Sequence, residues 1–182
     1  RQRYFRETSK SKSKVNHLQC NCIQPIKIME KKKVVLMLSK AFPKRMSNAG
    51  KPTNFAEKLS SGEKKHTIRA NLAWWQKKAE LINSGKAYLS IRQWEGMPYR
   101  SKQIEIARFD KISIQPLIIG DAESWKEDVC QVWDNESQRF KMSKLSEAAQ
   151  NDGLPFDVFK EWFLPYDNSQ TMAIVHFTDF KY

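Results

Sequence analysis

Within eight residues, Gly62-Glu63-Lys64-Lys65-His66-Thr67-Ile68-Arg69 gathers two amines, an imidazole, a hydroxyl and a guanidinium. Such a set is able to hold an anion or a nucleobase. If residues 67–69 are extended, alternate side chains face opposite sides. Thr67 and Arg69 then share one face, and His66 and Ile68 share the other. Lys64 and Lys65 sit on the turn that leads into this strand. The same residues also describe a solvated basic turn before an edge strand, and composition alone favours that second reading.

The elements around the motif follow from pattern and punctuation. Before it, Asn54 can cap a short amphipathic helix over residues 55–59 that ends at Ser60-Ser61-Gly62. After it, Leu72, Trp75, Ala79 and Ile82 fall near helical spacing in residues 71–84, and Gly85 closes the segment. Residues 34–38 form a continuous apolar run that suits a buried strand. Residues 88–94 and 103–109 alternate as strands do, with Glu95-Gly96-Met97-Pro98 as turn chemistry between them. Residues 112–119, 129–133 and 172–177 are further strands. Ser143 is expected to cap a helix running to Gln150, broken at Asn151-Asp152-Gly153, and Pro155 suits the first turn of another helix through Trp162.

Five or six strands interrupted by short helices, without a βαβ rhythm, predict an α+β fold built on a small barrel of mixed strands. The sequence has no internal repeat, Gly-rich phosphate loop, HExxH or GxSxG.

Charge is unevenly placed. The net charge of the 182 residues is +12. Residues 1–58 hold 15 Lys and Arg against 3 Asp and Glu, while the remainder holds 17 of each. The pI near 9.6 therefore describes the first third of the chain and gives the rest no bias toward nucleic acid. Residues 1–28 read as a basic, Ser-rich tail or upstream extension, with the functional domain expected over residues 29–182, starting at Met29. A basic arm that grips phosphates is the alternative for the same segment.

Forty per cent hydrophobic residues and six tryptophans argue for a folded core. No apolar run approaches the roughly 20 residues that cross a bilayer, and no hydrophobic signal segment opens the sequence, so a cytoplasmic protein without a membrane partner is expected. Cys20 and Cys22 form a CxC pair with only His17 nearby and Cys130 stands alone, so reduced thiols are expected, with no metal and no cofactor. Most of the tryptophans should fill the core. Trp74, beside the basic motif, and Trp94, on a strand flanking a turn, are the candidates for stacking on a ligand.

Three segments in order resemble the ASCH domain family, whose members adopt a PUA-like β-barrel. The first is the short helix followed by Gly62 to Arg69, similar to the family's G-x-K-x-x-T-x-R. The second is Ala148-Ala149-Gln150-Asn151-Asp152-Gly153-Leu154 before a helix ending in aromatics. The third is the closing strand, and together they span roughly residues 33 to 182.

The resemblance implies binding of RNA or of a nucleoside or nucleotide in a cleft beside the barrel; Lys65 and Arg69, with Trp74 or Trp94 as the aromatic, are the expected contacts. One branch of the family hydrolyses the acetyl amide of acetylcytidine with a lysine, a threonine and a glutamate, which would fall on Lys64, Thr67 and Asp152. Lys64 would then take the threonine proton, Thr67 attack the amide carbon, and Asp152 protonate the leaving amine. Asp152 is one methylene shorter than the family's glutamate, and the chain carries extra material around residues 71–85 and 120–141. A ribonuclease remains a further alternative, although no acidic metal cluster is present to serve it.

Overall fold

The computed structural model describes residues 30–182, so the expectations for the basic segment, His17, Cys20 and Cys22 lie outside the described residues. Among the described residues the fold is α+β, with eight strands in two sheets and five helices, rather than the five or six strands expected. The smaller sheet has the order β1-β3-β4, from β1 (Lys32–Met37), β3 (Ala87–Trp94) and β4 (Gln103–Phe109). The larger runs β2-β8-β5-β6-β7, from β2 (His66–Arg69), β8 (Met172–His176), β5 (Ser113–Ile118), β6 (Val129–Asp134) and β7 (Arg139–Lys144). Only β1 and β3 pair in parallel; the other neighbours are antiparallel.

Burial explains which strands sit where. All five residues of β8 are buried, as suits a strand with neighbours on both sides and helices over its face. In β1, Val34 and Leu36 are buried while Val35 is exposed, so the apolar run that predicts a fully buried strand is a half-buried edge. β7 is the other kind of edge: Arg139, Lys141 and Lys144 face solvent, a usual protection against pairing with another chain.

The helices tie the sheets together. α1 (Phe55–Ser60) precedes β2, and α2 (Leu72–Asn83) turns Trp75, Ala79 and Ile82 inward against β3, β5 and β8. The Asn83 side chain completes the clamp, donating to the Ile112 carbonyl at 2.8 Å and accepting from the Ile112 N–H at 3.0 Å. Asn71 caps α2 by accepting the Trp74 N–H. Asn54 differs from expectation: it stands before α1 in a left-handed conformation (φ 56°) and makes no side-chain cap.

The short α3 (Ala122–Lys126) has Asp121 as its cap, through the Ser124 N–H. Ser143 belongs to β7 rather than capping a helix, and α4 (Leu145–Asn151) begins after it, anchored by Asp128, which accepts from the Ser146 N–H and hydroxyl. Asp152 ends α4, and α5 (Phe156–Phe163) follows Pro155. No described helix is long and apolar enough to cross a membrane.

Candidate functional site

Two backbone bonds place the motif against the turn after α4. Lys65 N–H donates to the Asn151 carbonyl at 2.8 Å, and Phe177 N–H donates to the Lys65 carbonyl at 3.0 Å. β2 is thereby held between β8 and the α4–α5 turn, with Thr67 opposite Val175 and Arg69 opposite Ala173. Gly153 completes the turn at φ +77°, where a side chain is strained, and a Cβ there would meet Lys58 at 3.3 Å and Lys64 at 3.4 Å. The turn therefore approaches the Lys64 stem as closely as it does because residue 153 has no side chain. Gly153→Ala should cost about 1–2 kcal/mol in a urea titration, through the left-handed backbone and the displaced lysine.

Lys64 is the largest fully buried side chain of the chain's described core, only 1% exposed. Its Nζ lies 2.7 Å from Asp152 Oδ1, donates to the Asp152 carbonyl as well, and stands 4.3 Å from the centre of the Phe55 ring. Burial pushes the Lys64 amine down and the Asp152 carboxyl up, while their mutual attraction opposes both shifts. Thr67, in the wall of the same cavity, also favours the charged form of the Asp152 carboxyl. Arg69 is fixed from the other side, donating to the carbonyls of Met37 at 2.8 Å and Ile68 at 3.2 Å. Its guanidinium adds positive potential that also favours the Asp152 anion.

These four side chains line one cavity of about 200 Å³, whose wall also includes Phe55, Trp162 and Tyr166. A second cavity of about 240 Å³ shares the walls formed by Arg69, Trp162, Phe163 and Tyr166, and adds Ala70 and Met172. The cleft thus has a polar end at Lys64, Thr67 and Asp152 and an apolar end between β2 and α5.

The other sequence-derived candidates stand elsewhere. Lys65 places its amine 4.7 Å from the Phe180 ring, outside both cavities. Trp74 packs edge-on against Trp75 at 4.7 Å with Lys78 over its ring. Trp94 packs against Tyr99 at 5.3 Å. None of the three lines the cleft; the aromatic walls come from Phe55 of α1, from α5 and from the segment after it. Among the described residues no group of three His, Cys, Asp or Glu could hold a metal ion.

His66 is closer to the site than strand alternation suggests. Thr67 and Arg69 do point together into the cavity, but His66, on the other side of β2, reaches the same carboxyl: its Nδ1 is 3.9 Å from Asp152 Oδ1, and its Nε2 is 2.7 Å from the Tyr182 hydroxyl. The α4–α5 turn wraps over the end of β2, so Asp152 meets side chains from both faces of the strand. Burial holds the His66 imidazole well below its ordinary pKa, assisted by His176, Lys64 and Lys65.

Comparison with known proteins matches no family model, no curated protein and no solved structure. The functional reading therefore stands on the site itself.

Proposed function

We propose that this chain is an ASCH-type domain with a PUA-like barrel, that its cleft takes one nucleoside-sized ligand, and that Lys64, Thr67 and Asp152 cleave an N-acyl amide on that ligand. The observation that carries the reading is the Lys64–Asp152 pair, 2.7 Å apart, buried, and in the same cavity as Thr67 and Arg69. A buried ion pair adds little stability over an apolar pair of the same volume, so its presence in a cavity wall favours a chemical role. The cavity is smaller than the roughly 300–1,000 Å³ of drug-sized sites, which favours a single base over a length of RNA.

The contacts suggest how the work is divided. Thr67 and Asp152 share the cavity wall, and in this reading the hydroxyl proton enters the pair through Asp152 rather than by direct transfer to Lys64. Thr67 Oγ1 then attacks the amide carbon, and the charge developing on the carbonyl oxygen is met by Lys64 and Arg69. Asp152 passes the proton to the leaving nitrogen, the C–N bond breaks, and an acyl ester remains on Thr67. Water entering in place of the amine repeats the sequence, releasing the carboxylic acid and restoring the hydroxyl. Burial that narrows the gap between the charged and neutral forms of the pair eases both transfers.

The test is release of acetate from acetylcytidine by the purified protein. Thr67→Val, which keeps the shape and removes the hydroxyl, should lose activity by about 100-fold or more. A wild-type protein that releases no acetate, or a Thr67→Val protein that releases it at the wild-type rate, ends this reading.

A further inference from the structure

The Tyr182 hydroxyl stands between two side chains. Its oxygen accepts from Asn151 Nδ2 at 3.0 Å and lies 2.7 Å from His66 Nε2. A phenol has one proton to give, and with the oxygen already accepting from Asn151, His66 Nε2 is the partner in reach for that proton. Accepting it requires a bare Nε2. The ring proton of neutral His66 then resides on Nδ1.

Nδ1 is buried and has no hydrogen-bond partner, yet it lies 3.9 Å from Asp152 Oδ1. The opposite tautomer would set a bare nitrogen lone pair against the carboxylate and leave the phenol proton without an acceptor. We infer that Tyr182 and His66 form a positioning pair for Asp152, in which the tyrosine fixes the Nδ1–H tautomer and the imidazole turns that N–H dipole toward the carboxylate.

At 3.9 Å the contact is too long for a hydrogen bond and acts through its field. Contacts of this kind in ligand-free sites tighten when the reacting complex forms. The pair works against a defined background. Lys64, Arg69 and Thr67 also face Asp152, and Lys64, Lys65 and His176 face His66. Lys64 at 2.7 Å and His66 at 3.9 Å both address Asp152 Oδ1, so the imidazole dipole adds to the hold of the amine on that oxygen. The functional sense of the pair rests on the role proposed for Asp152, but its geometry does not.

Imidazole nitrogen NMR on the full chain reads the tautomer directly, and the Asp152 carboxyl carbon reads its titration. The expected wild-type result is a protonated Nδ1 and a bare Nε2 on His66. Tyr182→Phe should release this preference, giving a mixture or the opposite tautomer, and should raise the Asp152 midpoint by about one pH unit. His66→Asn sets an amide N–H where Nδ1 stood and should titrate near wild type. His66→Gln, whose amide reaches toward Tyr182 instead, should raise the midpoint as Tyr182→Phe does.

A protonated Nε2 in the wild type, or an Asp152 midpoint that is the same in wild type, Tyr182→Phe and His66→Gln, overturns the inference. Neither readout needs a substrate. Failure to hydrolyse acetylcytidine with the expected tautomer present would remove the proposed reaction and leave the positioning pair standing.

Discussion

Lys64→Met should lower the stability of the protein by about 3–5 kcal/mol, although methionine keeps most of the stem's volume and removes a charge from the interior. The loss comes from what stays behind. Asp152 is 7% exposed, and without the amine at 2.7 Å its carboxylate is buried with only Thr67, His66 and the more distant Arg69 around it.

Two further measurements separate this cause from simple loss of packing. The penalty should shrink as pH falls, because a buried Asp152 with a raised pKa takes up a proton that the unfolded chain, near pKa 3.9, does not yet hold. The double variant Lys64→Met/Asp152→Leu should recover most of the stability, since a well-packed apolar pair replaces a buried ion pair at little or no cost. Urea titrations of the three proteins at two pH values decide the matter. A single variant within about 1 kcal/mol of wild type, or a double variant no better than the single one, would show that the pair carries no buried-charge penalty.

How far the sequence anticipates this site depends on where the signal lay. Strand alternation puts Thr67 and Arg69 on one face, with Lys64 on the turn before it, and the structure has all three in one cavity wall with Asp152. Strand β4 begins and ends where its alternation does, at Gln103 and Phe109. Other elements had little to read. β7 is a charged, largely exposed edge, RFKMSK, with two apolar residues in six, and its definition comes from pairing with β6 rather than from its own pattern. Ser143 looks like a cap by residue type, but the paired strand claims it, with Cys130 as its partner in register.

The aromatic wall of the cleft was the harder loss. Trp74 and Trp94 are singled out because they neighbour turns and basic residues, whereas Trp162, which lines the cleft, reads as the end of a helix, and Tyr166, beyond that helix, carries no signal at all. Helical spacing states which side of α5 is apolar; it does not state that β2 lies across from it with a gap between. The His66–Tyr182 contact joins residues 116 positions apart, and no local pattern encodes it.

Acidification should destabilise this protein through its two buried histidines. His66 and His176 are both 0% exposed, neighbours across β2 and β8, with ring centres 5.5 Å apart. Burial depresses the pKa of each: His176 falls to about 3, with Lys181 contributing, and His66 lies well below the ordinary value. The unfolded chain titrates near 6.5. Below that pH the unfolded chain binds protons that the native protein refuses, so stability falls as pH falls, and it is complete above about pH 7.

The slope is about 1.4 kcal/mol per pH unit for each histidine, which amounts to about 2 kcal/mol each between pH 7 and pH 5. Asp152 acts in the opposite direction, because its raised native pKa makes the folded protein the better proton acceptor on acidification. The comparison that isolates the histidine term is wild type against His176→Gln, whose amide can still meet Gln115 Oε1, the partner of His176 Nε2 at 3.1 Å. The stability lost between pH 7 and pH 5 should be smaller by about 2 kcal/mol in the variant. Equal losses in the two proteins would mean that His176 protonates in the folded state, and that the β2–β8 interior admits charge more readily than its burial implies.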